Sequence, residues 1–535
     1  MTGAGEWGYT LPPDMMSGDI ALALAEADAP QPHKRLPPGK WIKQNLINSK
    51  LNTVITVVLV PLVVYLGYRA FMFLFVNGQW EPVRSNLELY MLGLFPRSDQ
   101  VVDGNQRWRV IAELLLLAPA IGTAIGLTSA RAKITAVETG QPYRPVPWRT
   151  LASSYWALVL FVVVLLLAFT RTLGPTLLVL GCVAGASIMF LLTRNVPKWV
   201  LPYGWTLALL LAAVSFQMLT GTGGWAWAYT TLTFVPAAGA VARTVPAVAR
   251  WPIVGAGALV GLATLVLKFG WVGVAAAAIG AYAIVTAKRG NRIDATRLGL
   301  LMVIGGAIYL VYDAIGLSGV DWSKWGGLQL NLVVTTVAIL LAFPLGILFA
   351  LGRRSKLPAI KVMSVVYIEF FRGAPLITFL LAATYFLSYF LGASTQLSQI
   401  TRAIAAITLF SAAYMAEVIR GGLNSVPSGQ VEAGQALGLS AGRINRMIVM
   451  PQALRAVIPA MVGQFISLFK DTSLLTIIAV SEFLGVRDLV ANQADFRGVG
   501  VAEGFVFVAF GFWAVSFTMS RESQRLERKL GVGQR

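Results

Sequence analysis

The chain has 535 residues, of which 56% are hydrophobic and only 13% charged, and its mean hydropathy is +0.70. So little polar surface cannot wrap a soluble core of that size, which excludes a soluble globular fold and leaves an all-α polytopic membrane protein. The net charge of +19 is dispersed between apolar runs instead of gathered in one patch, so it marks loops facing anionic lipid and argues against a nucleic-acid partner.

In chain order, residues 1–50 are predicted to form a basic cytoplasmic tail with no apolar core long enough for a signal peptide. Its last part, KRLPPGKWIKQNLINSK at 34–50, is basic and holds Trp41, which suits a membrane interface directly before a first span near 52–76. The loop from Asn77 to Arg109 mixes charges, among them Glu81, Arg84, Glu88, Asp99 and Asp103, and lacks the basic bias of the tail. It therefore reads as external. A second span near 110–128, with Glu113 snorkelling from its outer end, returns to a basic loop at 129–150 that carries Arg131, Lys133, Arg144 and Arg149. Residues 51–128 would thus form a two-helix hairpin.

From 151 to 316 the chain is almost continuously apolar, broken near 171–175, 194–200, 217–228, 243–251, 266–271 and 288–297, which parses as about seven further spans. Basic connections alternate with ones rich in Gly, Trp and Tyr, as the positive-inside rule requires. No charged constellation falls in this block, and its small residues read as helix packing.

Residues 326–530 form a last block of about five spans. The first ends in Arg353, Arg354 and Lys356, and the second enters through FFRGAPLITFLL and emerges near Gly392. The third covers 402–421, the fourth starts near Leu454, an outer loop occupies 481–500, and the last span is 501–519. The whole parse gives about 14 spans with both termini on the cytoplasmic side.

One stretch, PSGQVEAGQALGLSAGRINRMIVMPQALR at 427–455, is too short in each half to cross a bilayer. Ala433, Ala436 and Leu437 fall at i, i+3 and i+4, and Ile444, Met447 and Ile448 repeat that spacing, so two amphipathic helices at a membrane surface are predicted. Ser428 and Ser440 can cap the helix starts, Gly438 can supply a left-handed turn, and Pro451 can stop the second helix.

This stretch resembles the cytoplasmic EAA loop of the membrane subunits of ATP-binding-cassette importers. The family pattern, Glu-Ala-Ala followed by Gly and then by an apolar run and Pro, is met by Glu432, Ala433, Gly434, Gly438 and Pro451, with Gly434 standing where the family usually has Ala. IEFFRGAPLI at 368–377 and SLFKDTSLLTII at 467–478 resemble the polar-amino-acid branch, and FPLGILFALGRRSKLP and MSRESQRLERKLGVG the broad-specificity general L-amino-acid permeases. WIKQNLINSKLNTVIT resembles the first span of those permeases. The similarity implies a permease subunit in a bacterial cytoplasmic membrane. It would be coupled through Glu432 and Gly438 to separate ATPase subunits that bind ATP and Mg, paired with a second copy or a sister permease, and supplied by an extracytoplasmic amino-acid-binding protein.

The residues themselves carry no ATP site, since no lysine is followed by Ser or Thr as a P-loop demands. A lone cysteine, Cys182, and a lone histidine, His33, leave no disulfide, no cysteine-histidine metal centre and no catalytic triad in the bilayer. Glu432 is open to two readings, coupling and simple capping of the first helix turn. Glu369 with Arg372 and Glu417 with Arg420 stand three residues apart, either as an inner gate or as interfacial pairs that fix helix depth. Lys470 and Asp471 lie roughly 24 Å into the fourth span of this block. There they would either meet a zwitterionic substrate, with Gln464, Ser467 and Thr472 as neutral companions, or pair with another span. The rival reading of the whole chain is an ion- or proton-coupled secondary transporter. Such folds usually show two related halves, and 326–520 has no counterpart earlier in the chain.

Overall fold

A computed structural model describes residues 37–94, 108–140, 324–387 and 397–530, most of 142–201, and isolated positions at 208–215 and 389. Among the described residues every regular element is helical, apart from a bridge between Gly327 and Glu482. Eight helices there are long and apolar enough to cross a membrane, or nine if one bent pair counts as a span. Five of these lie in the last block, as the sequence indicates, with the bent pair as its second span. The part of the 151–316 block beyond 215 lies outside the described residues.

Contacts divide the chain between Gly78 and Gln79. The first unit holds a short helix, α1 (Pro38–Asn45), and a long one, α2 (Lys50–Met72), which closes in a π-helical turn at Phe73–Asn77. The two spans of the expected 51–128 hairpin therefore fall in different units. Ser49 starts α2 by accepting a hydrogen bond from the Asn52 amide at 3.2 Å.

The second unit opens with α3 (Glu81–Ser85) and α4 (Leu87–Leu92), so the described part of the expected external loop, up to residue 94, is folded, with Val83, Leu89 and Tyr90 buried. Next come α5 (Trp108–Thr139), α6 (Trp148–Val164) and α7 (Leu173–Thr193). Helix α5 runs through the segment expected to be a loop from 129, because LTSARAKITAVET contains no Gly or Pro and only the turn at Gly140 interrupts it. Helices α5 and α7 pack closely through small residues, as a Cβ added at Gly122 would lie 2.1 Å from the Ala186 carbonyl.

The last block contains α8 (Gly327–Arg353), α9 (Pro358–Arg372), α10 (Leu376–Tyr385) and α11 (Gln399–Ser425). After α11 come α12 (Ser428–Ala436), α13 (Ala441–Ile444), α14 (Met450–Asp471), α15 (Gly485–Ala491) and α16 (Val501–Leu530). Helix α11 is the hub, packed on α8, α9, α10 and α14. Its alanines Ala403, Ala406, Ala412, Ala413 and Ala416 are buried and bring those neighbours close. The expected second span of this block is broken. Pro375 forces the residue before it out of helical geometry, and α9 and α10 meet at 101°.

Three backbone segments cross where α8 begins. A Cβ on Gly93 (φ +63°) would lie 2.3 Å from the Gly326 Cα, and one on Gly326 would lie 2.5 Å from the Ser481 carbonyl oxygen. Backbone cannot yield as a side-chain tip can. Gly326→Ala is therefore expected to cost about 3 kcal/mol or more, read as a lower temperature of loss of monodisperse protein on heating. Gly67→Ala, with nothing within 4 Å, serves as the near-neutral control.

Candidate functional site

Pro427 ends α11 by placing Val426 in extended geometry, and α12 starts at once. The helix closes in a Schellman motif: Gly438 takes φ +70°, its amide donates to the Gln435 carbonyl at 2.9 Å, and the Leu439 amide donates to Gly434 at 3.1 Å. The left-handed turn read from Gly438 is present. The caps differ from expectation, since Pro427 holds the cap position of α12, and neither Ser428 nor Ser440 makes a capping hydrogen bond.

Pro451 does not stop the second helix. Helix α13 passes through a π-helical turn, Asn445–Val449, directly into α14, and the Met450 amide bonds back five residues to Asn445. That shift of register admits a proline in the first turn of α14, where a missing N–H costs little.

The apolar stripes also divide differently. Ile444 is buried and Ile448 partly buried, packed on Gly434 and Val431, whereas Ala433, Ala436, Leu437 and Met447 face outward, with Leu437 78% and Met447 68% exposed. Gly434 belongs where it stands, because a Cβ there would come 3.0 Å from Ile444 and 3.2 Å from Ile448. Glu432 is exposed beside the outward stripe, caps no helix, and has no ion pair among the described residues. The knob is thus packed inside and leaves Ala433, Ala436, Leu437 and Met447 exposed together with one carboxylate.

Behind the knob lies a charged cluster built on α8, α9 and α11. Glu417 receives Arg420 through both Nε and Nη2 at 3.0 and 2.7 Å, and Arg353 Nη1 at 2.9 Å; Arg372 Nη1 stands 3.6 Å away. Arg353 Nη1 also donates to Glu369 at 2.9 Å. The expected pair Glu417–Arg420 is present, whereas Glu369 pairs with Arg353 and Arg372 turns to Glu417. Spacing along one helix identified the residues, but the packing of α8 beside α9 and α11 chose the partners. Arg353, read from sequence only as the basic end of a span, is the residue that joins the two carboxylates. The Glu417 side chain is 14% exposed against 54% for Glu369, so water reaches the former far less.

At the other end of α14 the helix tightens into a 3₁₀ turn, Thr472–Ile478, immediately after Asp471. Lys470 and Ser467 are exposed, Asp471 and Gln464 half-buried. Thr472 points elsewhere, fully buried, with its hydroxyl donating to the Phe469 carbonyl and accepting from Asn331. Asn331 and Glu482 form a network that sequence reading missed. Asn331 donates to Glu482 Oε2 at 2.8 Å and accepts from the Phe483 amide at 3.0 Å, while Glu482 Oε1 accepts from Thr476 and from the Gly485 amide. Both residues are 0% exposed. The usable signal was a lone asparagine inside an apolar span, which demands a polar partner.

The architecture defines a polytopic membrane protein whose C-terminal helices carry a folded two-helix knob between two spans. Residues 342–532 match the model of the family described as binding-protein-dependent transport system inner membrane component. The chain is 42% identical over 227 residues to the inner membrane amino-acid ABC transporter permease protein YhdY of Escherichia coli, covering 42% of this chain and 61% of that one. It is 46% identical over 217 residues to the glutamate/glutamine/aspartate/asparagine transport system permease protein BztC of Rhodobacter capsulatus, covering 40% and 50%. With the probable glutamine ABC transporter permease protein GlnP of Bacillus subtilis it shares 35% identity over 38% of this chain and 91% of that one. The chain belongs to this family of binding-protein-dependent inner membrane components. Of the first two relatives it spans 61% and 50% of the length.

Two outcomes follow for the buried network. Asn331→Ala strands the Phe483 amide and removes a donor from Glu482, an expected loss of about 2 to 4 kcal/mol in a thermal-stability assay. Burial pushes the Glu482 carboxyl above the usual carboxylate range, against the hydrogen bonds from Thr476, Leu484, Asn331 and Gly485. The folded chain keeps this proton to higher pH than the unfolded chain. Its contribution is complete below the unfolded carboxylate value and is lost as pH rises through the folded one. Glu482→Gln should flatten that part of the stability profile above about pH 4.

Proposed function

We propose that this chain is the membrane-spanning permease subunit of an ATP-binding-cassette importer that moves L-amino acids across a bacterial cytoplasmic membrane. Energy would come from ATP hydrolysis on separate ATPase subunits docked at the knob. The observation that carries the reading is the outward face of the knob, where Leu437 and Met447 are exposed and Glu432 has no ion pair among the described residues, over an interior that is already packed. Such a face fits a cleft on a partner subunit, and the Gly438 turn fixes the angle at which it is offered. The relatives, named as amino-acid permeases, support amino acids as the substrate class.

In this reading the termini and the knob lie on the cytoplasmic side. A second permease, either a copy of this chain or a sister, completes the path, and an external binding protein supplies the substrate. Lys470 and Asp471, at the point where α14 tightens, offer a cation and a carboxylate to the two charges of an amino acid, with Gln464 and Ser467 nearby. Glu417 ties α8 and α9 to α11, which continues into the knob, so a displacement of the knob reaches three helices together. Opening the path would re-partner Arg353, Arg372 and Arg420 around Glu417 and Glu369.

The reading is tested in liposomes holding the chain, its ATPase, a sister permease where needed and the binding protein, with labelled amino acids outside. Leu437→Asp or Glu432→Ala should reduce ATP-dependent uptake roughly ten-fold, with Leu437→Asp also weakening ATPase association. Uptake that follows an ion gradient without ATP, and is indifferent to both changes, would establish the secondary-transporter reading instead. Glu417→Gln should leave the ATPase bound and hydrolysing while lowering the substrate moved per ATP. Equal losses of association and uptake would reduce Glu417 to a structural role.

A further inference from the structure

Helix α1 and the start of α2 form an elbow whose two faces differ in kind. Residues on a helix advance by about 100°, so Lys40, Lys43 and Gln44 share one side and Trp41, Ile42 and Asn45 the other. Trp41 and Ile42 are 50% and 42% exposed. The elbow is built, since the Thr56 hydroxyl donates to the Leu46 carbonyl at 2.8 Å and ties the connection to the second turn of α2. Lys50 opens α2, and neither helix has an acidic residue in its first turn. No Asp or Glu occurs anywhere between residues 29 and 80.

We propose that this elbow is a binding site for anionic phospholipid headgroups of the leaflet in which α2 begins. Lys40, Lys43 and Lys50 meet the phosphates, and Trp41 and Ile42 enter the acyl boundary. Three observations select lipid over a protein partner. The apolar side holds only two large side chains, far below what a stable protein contact buries. It adjoins the first turn of a helix that is apolar along its length and has no buried residue. The positive charge is uncompensated within the segment, and the helix dipoles at both N-termini add to it, so an anion relieves the whole arrangement.

The test uses the full chain with Cys182→Ala and Asn45→Cys, labelled at residue 45 with an environment-sensitive fluorophore and reconstituted in mixed vesicles of phosphatidylglycerol and phosphatidylcholine. Either lipid is brominated in turn to quench the label. Brominated phosphatidylglycerol should quench more strongly than brominated phosphatidylcholine at equal mole fraction, and the preference should weaken at high salt. Lys40→Gln with Lys43→Gln should reduce the preference by roughly five-fold for each lysine removed, while Lys40→Arg with Lys43→Arg retains it. Equal quenching by both lipids, a label quenched by neither, or a preference that the glutamine pair keeps would each overturn the proposal.

Discussion

The Glu417 carboxylate is the interaction on which the C-terminal block depends at its knob-bearing end. Set on α11, it is shared by guanidinium groups from α8, α9 and α11 itself, and it sits where water reaches little of it. Without that carboxylate, three cations would face one another with only Glu369 between them. Aromatic packing reinforces the same triangle. Phe349 stacks on Tyr367 with centroids 3.8 Å apart, and the Tyr367 hydroxyl donates to the Leu409 carbonyl at 2.6 Å. Helix α11 then leaves this fixed point and reaches the knob with only Val426 and Pro427 between, so the knob is attached to a braced helix.

The opposite end uses the same physics with different groups. There the chain must reverse after α14 without water to satisfy its amides, and Asn331 and Glu482 supply bonds to the backbone of Phe483 and Gly485. Ala479 takes a left-handed conformation (φ 58°) in this reversal, a strain that the surrounding bonds hold in place. The close crossing of Gly93, Gly326 and Ser481 adds a backbone contact that only glycine allows. A charged cluster therefore braces one end of α8, and a buried polar network braces the other.

Helices α4, α5 and α6 are integrated with this block. Trp156 on α6 lies edge-on to Trp513 and Phe517 of α16 at 5.4 and 5.3 Å, and Phe161 meets Phe507 and Phe510 at 6.1 and 5.4 Å. One face of the last helix is thus covered within the chain, which removes it from contact with lipid. Val110 of α5 and Leu89 and Tyr90 of α4 likewise enter the cores of the C-terminal block. The role of the apolar run between 151 and 316 was unreadable from composition. Its described part packs as a buttress, because its contacts are set by ring shape and small-residue spacing.

Hydropathy alone located the spans of the C-terminal block, since a stretch of apolar residues in lipid has no alternative to a helix, and Gly438 announced its left-handed turn because a Schellman closure needs a residue free of a Cβ. The EAA pattern located the knob, and spacing picked out Glu369, Arg372, Glu417 and Arg420 as charged groups near its base. Everything that depended on a second helix was hidden. Arg353 as the bridging cation, the exchange of partners between Glu369 and Arg372, the outward turn of Ala433, Ala436 and Leu437, and the pairing of Asn331 with Glu482 across 151 residues all follow from how helices pack. The periodicity of one helix states which residues share a face, but which face is buried is decided by its neighbours. The sequence by itself therefore determined the helices, the turn and the inventory of charges, and the tertiary structure alone decided which of those charges meet.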